Sequence, residues 1–296
     1  MTLQRASLGG SLALGALLLL GSCSTSQQAE STNTTSPADR PNALGAQTQA
    51  STMPGMTVGG ITLTPFDDSP KFPTAALRLN SPVGGSTVSS PVAFSYDLTN
   101  FQLTKMTGSD HAAMMANSMK GQHIHLIIDD KPYIAEYETK FSQPMDNGKH
   151  VVLSFLSRSY HESLKHKGAY DLRVVNVGGE AAAATPAATD NGAATFDVNA
   201  PTLFYSRPKD AYKGKDAAKI MLDFYLVNTT LAPDGNKVRA TINGNEFMLD
   251  KWLPYQMEGL PAGQATIKLE LVDSSGNLVP GPYNSVTRTI SVEPGA

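Results

Sequence analysis

GQHIHLII at residues 121–128 and GNKVRATI at residues 235–242 decide the fold. Both open on glycine, both place apolar side chains at alternate positions, and both carry β-branched residues, the pattern of a strand with one buried face. The two stretches lie 114 residues apart, and the same offset sets Tyr133 on Phe247. Further along the offset drifts to 116 and aligns Val151, Leu153 and Phe155 with Ile267, Leu269 and Leu271. The chain therefore reads as a duplicated β unit.

Around the first copy, residues 88–98, 133–138, 151–156 and 170–177 are further short runs of β-branched and aromatic residues. Turn chemistry separates them at Asp129-Asp130-Lys131-Pro132 and Asp146-Asn147-Gly148. Around the second copy the runs are 220–227, 267–272 and 286–292, with Asn243-Gly244-Asn245 as a hairpin signal. No long helical period appears. Short strands at this spacing predict an all-β chain of two tandem immunoglobulin-like β-sandwich domains. The Cys…Trp…Cys hallmark of that family of sandwiches is absent, because the chain has one cysteine and one tryptophan.

The N-terminus is of a different kind. Arg5 is the only charge before Cys23, and the apolar run from Leu8 to Leu20 is too short to span a bilayer comfortably. It fits the core of a secretory signal, and Leu20-Gly21-Ser22-Cys23 resembles the lipobox of bacterial lipoproteins. On that resemblance residues 1–22 are removed and Cys23 becomes the lipidated N-terminus. An exported chain with a single cysteine forms no internal disulfide, and a thioether-linked cysteine is no longer a free thiol. Ser24 and the lack of an acidic cluster after Cys23 point to the outer membrane, on its periplasmic face. Residues 23–73 begin polar and rich in Ser, Thr, Gln, Ala and Pro, the composition of a disordered tether. A first domain is expected over 74–177, an Ala-rich linker over 178–195 and a second domain over 196–296. Loss of Arg5 takes the net charge from −3 to −4, which excludes a nucleic-acid partner.

All six histidines fall between His111 and His166, and Met106, Met114, Met115 and Met119 lie just before or among them. Imidazole and thioether together suit copper, and thioether favours Cu(I). His123 and His125 share a strand face. With His161, His111 or Met119 as a third ligand they make a copper, or other soft-metal, site. The competing reading is a solvated face: Ile124, Leu126 and Ile128 look to the core, and the histidines align with Lys237 and Arg239. In the second copy Tyr205-Ser206-Arg207-Pro208-Lys209 stands out, as do Trp252 and Tyr255, which read as an aromatic shelf for a sugar or peptide. No nucleophile elbow, phosphate loop, HExxH or CxxC motif occurs, so no enzyme is expected.

Residues 122–129 (QHIHLIID), Gly148-Lys149-His150 and His161 resemble an uncharacterised group of bacterial envelope lipoproteins whose strand reads His-His-His-Leu-Leu-Ile-Asp. Some members carry the label phosphopeptide-binding. Here Gln122 and Ile124 replace two histidines of that form and leave the alternate pair. The likeness covers residues 118–177 and implies no defined activity. The sequence thus supports a lipid-anchored, non-catalytic binding or scaffold module for a protein, peptide or glycan, with copper binding by the first domain as the alternative.

Overall fold

The computed structural model describes residues 53–178 and 192–295, and these form one compact unit. The signal segment 1–22, Cys23, the tether up to residue 52 and linker residues 179–191 lie outside the described residues. Among the described residues no helix is long and apolar enough to cross a membrane.

The first sandwich comprises β3 (Ala76–Ser81), β4 (Thr87–Val88), β5 (Val92–Thr99), β6 (His123–Ile128), β7 (Ile134–Glu136), β8 (Lys140–Gln143), β9 (Gly148–Ser157) and β10 (Tyr170–Val177). Its sheets run β3-β5-β8 and β4-β10-β9-β6-β7. The second comprises β11 (Thr202–Arg207), β12 (Ala211–Gly214), β13 (Ile220–Val227), β14 (Lys237–Ile242), β15 (Asn245–Leu249), β16 (Tyr255–Glu258), β17 (Gly263–Val272) and β18 (Ser285–Pro294). There β11-β13-β16 faces β12-β18-β17-β14-β15. The two plans are the same strand for strand. In each, the short second strand pairs in parallel with the last strand, β4 with β10 and β12 with β18, while every other pairing is antiparallel. This is the immunoglobulin-like arrangement the sequence predicts.

The duplication needs one correction. Across β6 and β9, Ile124, Leu126 and Ile128 stand opposite Leu156, Ser154 and Val152. Across β14 and β17, Val238, Ala240 and Ile242 stand opposite Leu271, Leu269 and Ile267. The equivalents of Ile267, Leu269 and Leu271 are therefore Val152, Ser154 and Leu156, one residue away from the sequence alignment. A slip of one flips every side chain to the other face. Apolar character could not detect the slip, because β9 is buried on both faces. Val152 and Leu156 fill the first sandwich's own core, whereas Val151, Leu153 and Phe155 pack on Phe204, Tyr225 and Val227 of the second.

That second contact makes the two sandwiches one body. β11 and β13 are buried along their whole lengths: Leu203, Tyr205, Leu222, Phe224 and Leu226 look into the second core, and Phe204, Tyr225 and Val227 look back to the first. Each such side chain contributes roughly 1.5–3 kcal/mol by leaving water. Polar ties follow. The Asp223 carboxylate, fully buried, pairs with Lys165 and accepts the Ser163 N–H at 3.2 Å. The Tyr225 hydroxyl donates to the Leu164 carbonyl at 3.1 Å.

The tether is shorter than expected. β1 (Met56–Val58) and β2 (Ile61–Pro65) form a hairpin, and β2 pairs with β16, so this segment extends a sheet of the second sandwich. The turn is Gly59-Gly60, both at positive φ, which glycine adopts without cost. Ile61 and Leu63 bury their side chains in the second core. The expected linker also ends early: Ala193 is buried in the cluster that contains Phe196 and Tyr283.

Candidate metal centre

β6 is the central element of the site. Ile124, Leu126 and Ile128 enter the first sandwich's core, as the alternation predicts. His123 and His125 point the other way, toward the second sandwich, and have no solvent exposure. The solvated-face reading is thus overturned. In the second copy the equivalent face of β14 is uncovered, and Lys237 and Arg239 remain half-buried there. In the first copy the sheet β11-β13 covers it, where a lysine or arginine would bury an unpaired charge.

The third imidazole comes from the turn after β9. His161 sits at φ 72°, in the left-handed region that few side chains other than glycine adopt, and its N–H donates to the Arg158 carbonyl. This backbone turns its ring back onto β6. His123 Nε2 lies 2.9 Å from His125 Nε2 and 3.1 Å from His161 Nδ1. One ligand atom from each of the three residues lies within 4.8 Å of the others. A metal about 2.0–2.1 Å from each of three nitrogens in tetrahedral array holds them roughly 3.3 Å apart, so the cluster needs only a small opening to accept one.

The walls orient the rings. His123 Nδ1 donates to the Gly121 carbonyl at 2.8 Å, which leaves Nε2 as a bare lone pair when the ring is neutral. His125 stacks on Tyr133 with ring centroids 3.6 Å apart and meets the Phe155 ring edge-on. Its Nδ1 lies 3.5 Å from the Ser206 hydroxyl. The Tyr133 hydroxyl lies 3.3 Å from His161 Nδ1.

Burial pushes the His123 imidazole down to about 4, against the opposing bond to Gly121. Burial, then the neighbouring imidazoles, then Arg207 and Lys209 hold His125 well below its ordinary value. Burial and then Arg207 do the same to His161. All three rings are therefore neutral at neutral pH, the form that ligates metal. His123 Nε2 can accept one proton, from His125 Nε2 or from His161 Nδ1 according to which tautomer each adopts, and a cation among the three nitrogens would instead take up the lone pairs aimed at it.

The remaining expected ligands are elsewhere. His111 Nε2 lies 2.7 Å from Asp68 Oδ1, and its ring packs on Phe66. Met119 is 90% exposed. Met115 is buried with Phe66, Tyr160 and Met221, and Met114 lines a groove beside Asp67 and Asp68. The thioethers therefore fill gaps or face water, so the sequence argument from thioether to Cu(I) lapses. His150 bonds Asp129, and His166 bonds the Phe72 carbonyl.

Trp252 and Tyr255 do not form a shelf. Tyr255 is buried, and its hydroxyl donates to the Lys251 carbonyl at 2.9 Å. Trp252 donates from Nε1 to the Phe224 carbonyl and meets Tyr225 edge-on. Both are packing residues whose polar atoms found backbone partners.

Sequence reasoning missed four members of the site: Tyr133, Ser206, Arg207 and Lys209. Lys209 Nζ donates to the Tyr133 carbonyl at 3.1 Å and lies 4.4 Å from the centre of its ring. The Arg207 guanidinium lies 5.3 Å from the same ring. Residues 205–209 stood out in the sequence, but nothing in one chain's pattern says that they cover histidines some eighty positions earlier.

No protein-family model matches the chain, and no curated protein sequence matches it. Among solved structures it is similar to the fibronectin(III)-like modules of Clostridium thermocellum CbhA, at 10% identity and a TM-score of 0.25, over 74% of this chain and 94% of that one. It is similar to the central fibronectin-III array of RIM-binding protein, at 11% identity and a TM-score of 0.24, over 75% and 69%. It is also similar to SGBP-B of the Bacteroides ovatus mixed-linkage glucan utilization locus, at 9% identity and a TM-score of 0.21, over 73% and 47%.

Proposed function

We propose that this chain is a non-catalytic envelope protein that binds a transition-metal ion through His123, His125 and His161. The observation that carries this reading is the convergence of three imidazole nitrogens, His123 Nε2 with one partner at 2.9 Å and the other at 3.1 Å, within a buried contact between two sandwiches. Imidazole suits copper and zinc alike. A protein, peptide or glycan partner ranks behind it, because Trp252 and Tyr255 are packing residues.

Calorimetry of the full chain with Cu(I), under anaerobic conditions, and with Zn(II) tests the site. The wild type takes up one equivalent. His161→Asn keeps a residue that tolerates positive φ, holds the apo melting temperature within a few degrees, and loses the binding heat. Equal heats from the two proteins rule the site out.

We also propose that the protein is held at the periplasmic face of the outer membrane by lipid on Cys23. The sequence of residues 1–23 supports this. In detergent phase partitioning the wild type enters the detergent phase and Cys23→Ser the aqueous phase. If both stay aqueous, the anchor is wrong.

A further inference from the structure

We propose that the three-histidine site is selective for a monovalent soft cation, cuprous copper, because the fixed charges of Arg207 and Lys209 penalise a dication. The inference rests on the metal-binding reading above and adds to it the charge of the ion.

Ligand type does not separate copper from zinc here, since no thioether joins the site and imidazole serves both. Charge does. Among the described residues the ligand cluster contains histidines alone, with no thiolate or carboxylate. Neutral imidazoles cancel none of an ion's charge, so the complex keeps all of it in a buried place.

The surroundings are already positive. Tyr133 is a slab, with the His125 ring stacked on it at 3.6 Å and two cations over its ring, Lys209 Nζ at 4.4 Å and the Arg207 guanidinium at 5.3 Å from the centre. Arg207 is buried and no carboxylate pairs with it among the described residues. Its Nη1 donates to the Tyr212 hydroxyl at 2.7 Å, and its Nε has no partner. Among the described residues the one carboxylate paired with Lys209 is that of the largely exposed Asp210, at 3.5 Å, which solvent screens.

Coulomb energy is proportional to the product of charges, so each fixed cation costs a dication twice what it costs a monocation at the same point. Trigonal ligation by three nitrogens suffices for Cu(I). Zinc in a three-histidine site takes a fourth ligand, such as water. In this site the Tyr133 hydroxyl oxygen lies 3.3 Å from His161 Nδ1.

The test measures how removal of one fixed charge changes the affinity of each ion. The full chain is titrated with Cu(I), without oxygen, against a chromophoric Cu(I) chelator, and with Zn(II) against a zinc indicator. Wild type, Lys209→Gln and Arg207→Gln are compared. Lys209 is partly exposed, so its variant folds even if the Arg207 variant does not. The ligands are unchanged, so intrinsic preferences cancel within each ion. The expected result is a gain for Zn(II) near the square of that for Cu(I), about a hundredfold where Cu(I) gains about tenfold. Equal factors for the two ions, or no gain for either, overturn the charge argument while leaving the site intact. Failure of the wild type to bind either ion overturns the metal reading and this inference together.

Discussion

At the scale of single residues, burial decides which side chain a position takes. Positions 123 and 125 correspond to Lys237 and Arg239, which are only partly buried: Lys237 donates to the Gly235 carbonyl and Arg239 to Glu270 Oε2. Under the second sandwich histidine can be buried neutral, since it sheds its charge within ordinary pH, whereas lysine and arginine do not. His150 behaves in the opposite way. Burial alone lowers an imidazole, but its bond to Asp129 Oδ2 at 2.8 Å outweighs this and raises the group above its ordinary value. A group raised on folding contributes stability that is complete below the unfolded value of about 6.5 and is lost as pH rises through the folded value. Thermal melts of wild type and His150→Gln therefore differ more at about pH 5.5 than at about pH 8.5. A gap that widens toward alkaline pH disproves the assignment. The sequence marked His161 as a ligand because it follows directly on a strand. It gave no sign of Tyr133, whose ring acts through stacking rather than through a ligand atom.

At the scale of elements, what was legible depended on whether polar and apolar residues alternate along the strand. β6 and β14 alternate polar and apolar, and their correspondence was correct to the residue. β9 is apolar throughout, so its periodicity held no register information, and the alignment slipped by one. The hairpin Met56–Val58 with Ile61–Pro65 was legible in principle, since Gly59-Gly60 between two short β-prone runs is a turn signal. It was lost because the segment follows a long polar stretch and its partner strand, β16, lies almost 200 residues away. Local pattern can propose a strand, but it cannot name a partner at that distance. The strained backbone at His161 belongs to the same scale. A four-residue turn from Arg158 to His161, with the Arg158 guanidinium donating to the Pro70 carbonyl, fixes where the ring can go.

At the scale of the whole molecule, the two sandwiches share an apolar layer that neither repeat reveals alone. Phe155, Tyr225, Phe204 and Val151 are cut off from water only when both are folded. Separating them would expose these side chains, each worth roughly 1.5–3 kcal/mol, and break the buried pair of Asp223 and Lys165. The described residues should therefore unfold as one unit rather than as two domains joined by a linker. Metal binding tests this directly, because His123, His125 and His161 all belong to the first sandwich, while Ser206, Arg207 and Lys209 of the second close over them. An ion bound only to the native state adds about 2.7 kcal/mol at one hundred times its dissociation constant. In scanning calorimetry with excess Cu(I) and no oxygen, the expected trace has one transition, moved up as a whole. Two transitions, of which only the one assigned to residues 74–177 moves, would mean that the sandwiches melt separately and that the second merely touches the site.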